Sequence, residues 1–260
     1  MRGDFMFCVL SVRERKNSLI EKLFGCLIKD EYNVRSIPVF KGAPFFVLDV
    51  YVGKKGISWE KVIFEVGRCA SRLVTENNIV LPTDMNVGIF NSKLLYDRMM
   101  KNTFLNILEN NNLKKNPLSV SVMDENVQYI DFIRNLSEYA SRMSITTHNK
   151  EKYYGVCKEI TDNSGLCPVL KENFDDAEIK INTQKNTMTV NCCDKHINIS
   201  SGYDFKVPEV YEELLPDNVN RYNFFSALYE LCGVFSLGEC FFDTINVNNE
   251  KKNVSDIHFS

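Results

Sequence analysis

The chain has 260 residues, of which 44% are hydrophobic and 25% charged, a composition typical of an ordinary globular protein. The net charge is −3, and the basic doublets, such as Lys54-Lys55, are scattered along the sequence. The sequence therefore shows no basic cluster of the kind that binds nucleic acid. No apolar run approaches the roughly 20 residues that a membrane span requires. We therefore expect no nucleic-acid partner and no membrane association, and we expect the protein to be cytoplasmic.

The nine cysteines include no CxxC pair, and we expect most of them to be small buried residues in a reducing compartment. The many Asn, Lys and Ile residues are typical of an AT-rich genome, and a bacterial source is the expectation.

Residues 1–84 are predicted to form a separate α+β unit. Gly42 lies between two of its predicted strands and gives the backbone the conformational freedom that a turn needs. The predicted order is β-α-β-β-α-β, for which a ferredoxin-like arrangement is one option. The elements are a strand at 5–12, a helix capped by Ser18, strands at 37–40 and 44–52, a helix after Ser58, and a short strand at 78–81.

Residues 85–245 are predicted to form a Rossmann-like α/β domain with an open, mainly parallel sheet. After a first strand at 87–90, three apolar runs at 118–123, 143–147 and 167–170 follow one another about 25 residues apart. Each gap between the runs carries an amphipathic helical pattern. Parallel strands need a crossover of that length, so the spacing predicts parallel pairing.

An antiparallel extension is predicted to follow, because residues 177–181, 187–193 and 196–200 alternate with a period of two. Two helices at 208–215 and 218–232 and a last strand at 234–242 complete the domain. Residues 246–260 are polar, and we expect them to be a frayed tail.

In an open α/β sheet, ligands bind beyond the carboxyl ends of the strands. Here those positions are occupied by Ser92 and Lys93, by Asp124 and Glu125, and by His148. A helix start with a lysine can meet a phosphate, a carboxylate can bind a ribose, and a histidine can act as an acid or base. Ser92 and Asp124 are equally explained as helix caps, and Glu125 as a charge at the positive helix end.

The glycine fingerprints of phosphate binding are missing from these loops. Neither GxGxxG nor GxxxxGK[ST] occurs, and the nearest glycine, Gly88, lies inside a predicted strand. The sequence therefore assigns no cofactor, and it leaves open whether the protein is an enzyme.

Cys193 and His196 are the weak candidates for a metal site. A hairpin turn at Asp194-Lys195 would pair them across two strands. Two ligands are fewer than the three or four that zinc normally takes in proteins, so no metal is assigned.

The sequence favours a non-catalytic or degenerate Rossmann-like protein that acts through a protein partner, a homo-oligomer or a weakly bound ligand. The alternative is an enzyme or sensor that binds a nucleotide or small metabolite near Asn91, Asp124 and His148. No motif chooses between the two, because element order alone does not assign a function.

Overall fold

The computed structural model describes residues 6–14, 31–52, 56–76, 79–192 and 194–259. These residues form a mixed α/β structure with one four-stranded and one eight-stranded sheet, each with parallel and antiparallel pairs. The chain divides into two compact units. Unit 1 comprises Met1–Leu95 and Val207–Gly238, and unit 2 comprises Tyr96–Lys206 and Glu239–Ser260.

Unit 1 contains the four-stranded sheet, whose strands lie in the order β2-β3-β1-β4. Its elements are β1 (Cys8–Glu14), β2 (Glu31–Ile37), β3 (Phe45–Val52), α1 (Trp59–Val66) and β4 (Leu73–Thr75), and, later in the chain, α5 (Glu209–Glu212) and α6 (Arg221–Leu231). The predicted helix after Ser18 lies outside the described residues.

Both faces of this sheet are covered by apolar side chains. On one face Val62 and Val66 of α1 pack against Leu10 and Leu48. An aromatic cluster also joins the sheet to α6: the rings of Phe7 and Phe45 stack with centroids 5.0 Å apart, and the Phe224 ring lies edge-on to both. Helices on both sides explain why β3 is apolar at nearly every position and why Cys8, Val9 and Leu10 of β1 are fully buried.

The strand directions differ from those of a ferredoxin-like unit, in which neighbouring strands are antiparallel. Here β1 pairs in parallel with both β3 and β4, and β2 is antiparallel to β3. The position of the last strand also differs from the prediction. α1 ends before Gly67, which has a φ of 56°, and the strand begins at Leu73 rather than within residues 78–81.

Unit 2 contains the eight-stranded sheet, in the order β12-β11-β10-β9-β8-β5-β6-β7. Its helices are α2 (Leu94–Asn110, which begins at the unit boundary), α3 (Ile130–Leu136) and α4 (Lys150–Ser164). Its strands are β5 (Leu118–Met123), β6 (Ala140–Thr146), β7 (Val169–Lys171), β8 (Ile179–Asn182), β9 (Thr187–Cys192), β10 (Lys195–Gly202), β11 (Thr244–Val247) and β12 (Glu250–Asn253).

The parallel pairing predicted from the three spaced apolar runs is confirmed. β5 pairs in parallel with β6, and β6 with β7. β8 adds a further parallel pair on the other side of β5, and antiparallel pairing runs from β8 through β12. The sheet is therefore mixed rather than mainly parallel, because short polar turns favour hairpins over crossovers.

Two predicted strands are wrong. Residues 87–90 make only a single bridge, between Ile89 and Leu73 of unit 1, and do not join the eight-stranded sheet. Residues 234–242 contain a 3₁₀ helix at Phe235–Glu239 and one bridge from Phe242 to Phe205. Both segments are too short or too interrupted to form a continuous run of hydrogen-bonded strand pairs.

The predicted frayed tail is also wrong. β11 and β12 form a hairpin through Asn248 and Asn249, whose φ angles of 51° and 69° suit a tight turn of the primed type. Beyond the hairpin, Val254, Ile257 and Phe259 are buried. Among the described helices, none combines the length and apolarity that crossing a membrane would demand.

Candidate functional site

The carboxyl ends of β5, β6 and β8 are tied together in unit 2. The backbone N–H and the hydroxyl of Thr183, just past β8, both donate to the carbonyl of Met123 at the end of β5, at 3.1 and 2.7 Å. The backbone N–H of Asp124 donates to the carbonyl of Thr146 at 2.9 Å. Three loops therefore leave the sheet side by side.

Asp124 is fully buried at this edge, directly after β5. Its carboxylate accepts hydrogen bonds from the backbone N–H groups of Gln128, at 3.2 Å, and Tyr129, at 2.9 Å. The hydroxyl of Tyr153, on α4, donates to it at 2.5 Å. Three donors from the chain itself satisfy this carboxylate, as a buried charge requires.

Lys101 reaches the same edge from α2 and is almost completely buried. Its ammonium group donates to the carbonyl of Thr183 at 2.8 Å and to the amide oxygen of Asn186 at 2.5 Å. It also lies 3.9 Å from the centroid of the Tyr129 ring, in cation–π geometry.

Asp97, one helical turn before Lys101, closes the network. Its carboxylate accepts a hydrogen bond from the amide of Asn186 at 2.6 Å and a long one from the hydroxyl of Tyr129 at 3.5 Å. We call Asp97, Lys101, Asp124, Tyr129, Tyr153, Thr183 and Asn186 together the crevice cluster.

Burial dominates the electrostatics of the crevice cluster. Desolvation lowers the pKa of Lys101 to about 8, and the negative charges of Asp97 and Asp124 offset part of that drop. Desolvation followed by the same two carboxylates raises the pKa of Tyr129 to about 12. The pKa of Tyr153 also rises, first through burial and then through its hydrogen bond to Asp124.

A lysine with a pKa near neutrality is the kind of group that enzymes use as a base or nucleophile. Lys101 differs from such a group in one respect: its ammonium already contacts Thr183, Asn186 and Tyr129 within the folded chain. A substrate would have to displace these contacts to reach the nitrogen. The arrangement therefore fits a structural polar network that closes the carboxyl end of the sheet.

Of the residues proposed from the sequence, Asp124, Glu125 and His148 lie in unit 2. Glu125 and His148 are solvent-accessible, and the Nε2 atom of His148 lies 4.0 Å from the Glu125 carboxylate. Between Asp124 and the helix that follows, Val127 has a φ of 56°, a left-handed conformation that a β-branched residue rarely adopts. The helix α3 begins only after this residue, at Ile130.

Ser92 and Lys93 lie in unit 1. The hydroxyl of Ser92 accepts a hydrogen bond from the N–H of Leu94 at 3.2 Å, at the start of α2, and its carbonyl accepts one from the hydroxyl of Tyr222 at 3.0 Å. Lys93 is exposed. Ser92 thus has the local contacts of a helix cap.

Of the two weak metal candidates, the structure describes His196. His196 pairs with Asn191 across the hairpin, and its Nδ1 lies 2.5 Å from the Asn191 amide oxygen. Cys193 lies outside the described residues. Among the residues that the structure describes, no three or more His, Cys, Asp or Glu side chains form a group that could hold a metal ion.

The sequence reasoning missed Lys101, Tyr129 and Tyr153. Asp97 and Lys101 stand four residues apart on a helix, which is the usual signature of an exposed ion pair. The available signal was that Lys101 falls between Met99, Met100 and Phe104, in a helix that is apolar around most of its circumference.

Comparison of the chain with protein-family models, curated proteins and solved structures gives no match.

Proposed function

We propose that this chain is a non-catalytic, degenerate Rossmann-like protein that acts through a protein partner. The observation that carries the proposal is the crevice cluster. In nucleotide-binding relatives of that fold class, the strand ends at the topological switch point are open to a ligand. Here Lys101 and Asp124 are engaged by donors and acceptors of the chain itself.

The order of the parallel strands supports the Rossmann-like part of the proposal. When these four strands are numbered by their order in the chain, the neighbours β7-β6-β5-β8 read 3-2-1-4, which matches the first four positions of the Rossmann order 3-2-1-4-5-6. The switch point then lies between β5 and β8, where Asp124 and Thr183 stand. The connection from β7 to β8 is a short loop without a helix, which is one way in which the fold would be degenerate.

Exposed apolar side chains support the choice of a protein as the partner. Of the large apolar residues in the described part of the chain, the three most exposed are Val80 at 86%, Phe64 at 85% and Phe235 at 76%. All three belong to unit 1. Exposed apolar side chains that form a contiguous patch are typical of surfaces that bind other proteins.

We also propose that the protein works in the cytoplasm. Cys8, Cys69 and Cys232 are buried thiols without disulfide bonds, as a reducing compartment would leave them. A bacterial source and the lack of a nucleic-acid partner stay predictions.

The experiment that tests the proposal is a thermal-shift screen with NAD, ATP, S-adenosylmethionine and common metabolites. We expect no reproducible stabilisation, because the crevice cluster is closed. A ligand that raises the melting temperature by several degrees, with the shift lost in Asp124→Ala, would overturn the proposal. Asp124→Ala removes a buried charge, so Glu125→Gln serves as a second variant that leaves the buried network intact.

One observation favours a second function, a small-metabolite enzyme or sensor. Glu125 and His148 are accessible side chains at the carboxyl ends of β5 and β6, and the strained Val127 lies beside them. An accessible histidine next to a carboxylate can transfer a proton near neutral pH. In this case the screen would find a ligand whose stabilising effect is lost in His148→Ala and retained in His196→Ala.

A further inference from the structure

Two buried polar atoms of unit 1 have no hydrogen-bond partner. Among the residues that the structure describes, no group bonds to the hydroxyl oxygen of Ser226 or to the Oε1 atom of Glu230. Both residues lie on α6, one helical turn apart, so their side chains share one face of the helix. Buried polar atoms are almost always paired in folded proteins, and an unpaired one needs an explanation.

The same face of α6 meets the segment that precedes α2. The hydroxyl of Tyr222, one turn before Ser226, donates to the carbonyl of Ser92 at 3.0 Å. The hydroxyl of Ser92 forms a hydrogen bond with the carboxyl of Glu230. All four residues belong to unit 1, and we call Ser92, Tyr222, Ser226 and Glu230 together the Glu230 contact.

No cation in the described part of unit 1 forms an ion pair with Glu230. Arg221, the cation of α6, instead binds the carboxylate of Glu212, with 3.1 Å between Nε and Oε1. Lys93 follows Ser92 in the chain and is exposed. The carboxyl of Glu230 therefore has a partly buried position and no opposite charge to stabilise its ionised form.

Two further kinds of neighbour bring no charge to α6. On the side of the sheet, the rings of Phe7 and Phe45 pack against Phe224, and β4 contains no titratable side chain. The thiols of Cys69 and Cys232 stay neutral, because burial raises the pKa of Cys69 and raises that of Cys232 to about 12.

A buried carboxyl without a cation takes up a proton, because the neutral form costs less to bury. Burial raises the pKa of Glu230, and the hydrogen bond from Ser92 offsets part of that rise. The two unpaired atoms are closed to water, which leaves no room for a larger ligand than a proton. The neutral carboxyl carries one O–H donor, and the unpaired oxygen of Ser226 is an acceptor one turn away.

We propose that Glu230 binds a proton in the folded chain and acts as a pH-sensitive switch, so that the Glu230 contact is closed while the carboxyl is neutral and loosens when it ionises. An ionised carboxylate needs water or a cation, and the closed contact supplies neither. The switch lies in unit 1, and it depends neither on the crevice cluster nor on the partner in the proposed function.

The test of the proton site is a nuclear magnetic resonance titration of the full chain with isotope-labelled glutamate carboxyls. The resonance of Glu230, identified by its absence from Glu230→Gln, is expected to titrate at a higher pH than that of the exposed Glu213. Ser226→Ala removes the acceptor of the proton and should lower the titration pH. Ser92→Ala removes a bond that favours the charged form and should raise it.

The test of the switch compares the wild type with Glu230→Gln, which mimics the neutral carboxyl. Amide hydrogen exchange of α6 should be equal in the two proteins below the titration of Glu230 and faster in the wild type above it. The folded state binds more protons than the unfolded state above pH 4.5, so the wild type should also lose stability relative to Glu230→Gln as the pH rises. Glu213→Gln is the matched control and should follow the wild type.

A Glu230 resonance that titrates together with that of Glu213 would overturn the proton site. Serine variants that both shift the titration in the same direction would overturn the roles of Ser92 and Ser226. A titration at raised pH with equal exchange of α6 in the wild type and Glu230→Gln at every pH would overturn the switch.

Discussion

At the scale of single residues, the buried charges of the crevice cluster decide how unit 2 responds to pH. The pKa of Lys101 is about 8 in the folded protein and returns to about 10.5 when the chain unfolds. Between these two pH values the unfolded state holds a proton that the folded state lacks, so the free energy of unfolding rises with pH. Below pH 8 this contribution is lost.

We therefore predict that the wild type gains stability relative to Lys101→Met as the pH rises from 8 to 10.5. The gain should be on the order of 2 to 3 kcal/mol, measured by urea unfolding at several pH values. Lys158→Met, which removes an exposed lysine of α4, is the matched control and should leave the profile of the wild type unchanged. If the difference in free energy of unfolding between the wild type and Lys101→Met does not change with pH, the lowered pKa of Lys101 is contradicted.

Asp124 allows a second prediction at this scale. Asp124→Asn keeps the shape of the side chain and removes the charge that organises three donors and faces Lys101. We expect a loss of about 2 to 3 kcal/mol in the free energy of unfolding. Tyr153→Phe deletes one donor and should cost about 1 kcal/mol. Equal effects from Glu125→Gln, at the partly exposed neighbour, would show that the buried network contributes little.

At the scale of secondary structure elements, a close approach fixes the path of β10. A Cβ atom on Gly202 would lie 2.1 Å from the ring of the buried Phe242, and the register of β10 with β11 shifts at this point. The ring thus occupies the space of a side chain, and only glycine fits there.

Gly202→Ala is predicted to cost at least about 2 kcal/mol in thermal or urea unfolding, because either the ring or the strand must move. Gly155 lies within α4, and a Cβ atom there meets nothing within 4 Å. Gly155→Ala should therefore stabilise the protein by about 0.5 to 1 kcal/mol. Opposite signs for these two identical substitutions are the expected outcome, and a neutral Gly202→Ala would contradict the packing.

The end of the chain behaves as an element of unit 2. Phe259 is buried, and its N–H donates to the side chain of Asn111 at 2.8 Å. We predict that Phe259→Ala lowers the free energy of unfolding by about 3 kcal/mol, measured by urea denaturation. Phe241, of which 38% is exposed, is the matched control, and Phe241→Ala should cost less than about 1 kcal/mol. A harmless Phe259→Ala would indicate the frayed tail that the polar sequence suggested.

At the scale of the whole molecule, the sequence predicted the local periodicities well and the long-range pairing less well. The strand Leu118–Met123 has the predicted bounds, and α6 lies within the predicted helix. The spacing of apolar residues shows which face of a helix or strand is buried, so it identifies helices and strands with one buried face reliably. It carries no information on which unit an element joins, and residues 207–238 belong to unit 1 although they follow the strands of unit 2.

Only the position of the candidate site in the fold could be predicted from the sequence. The strand ends after β5 and β6 follow from the strand–helix spacing, and Asp124 stands there. That Lys101 reaches the same place depends on how α2 packs, and that packing is set by tertiary contacts rather than by the helical pattern. The predicted frayed tail is instead ordered, because Asn248 and Asn249 adopt positive φ angles and close a hairpin.

The most direct test of the closed crevice is competitive chemical labelling of the amines in the folded protein at pH 8 to 9, followed by peptide mass spectrometry. The account predicts that Lys101 labels more slowly than exposed lysines such as Lys158, because its nitrogen contacts Thr183, Asn186 and Tyr129. Faster labelling of Lys101 would show an open and reactive amine at the strand ends, and would contradict a non-catalytic crevice.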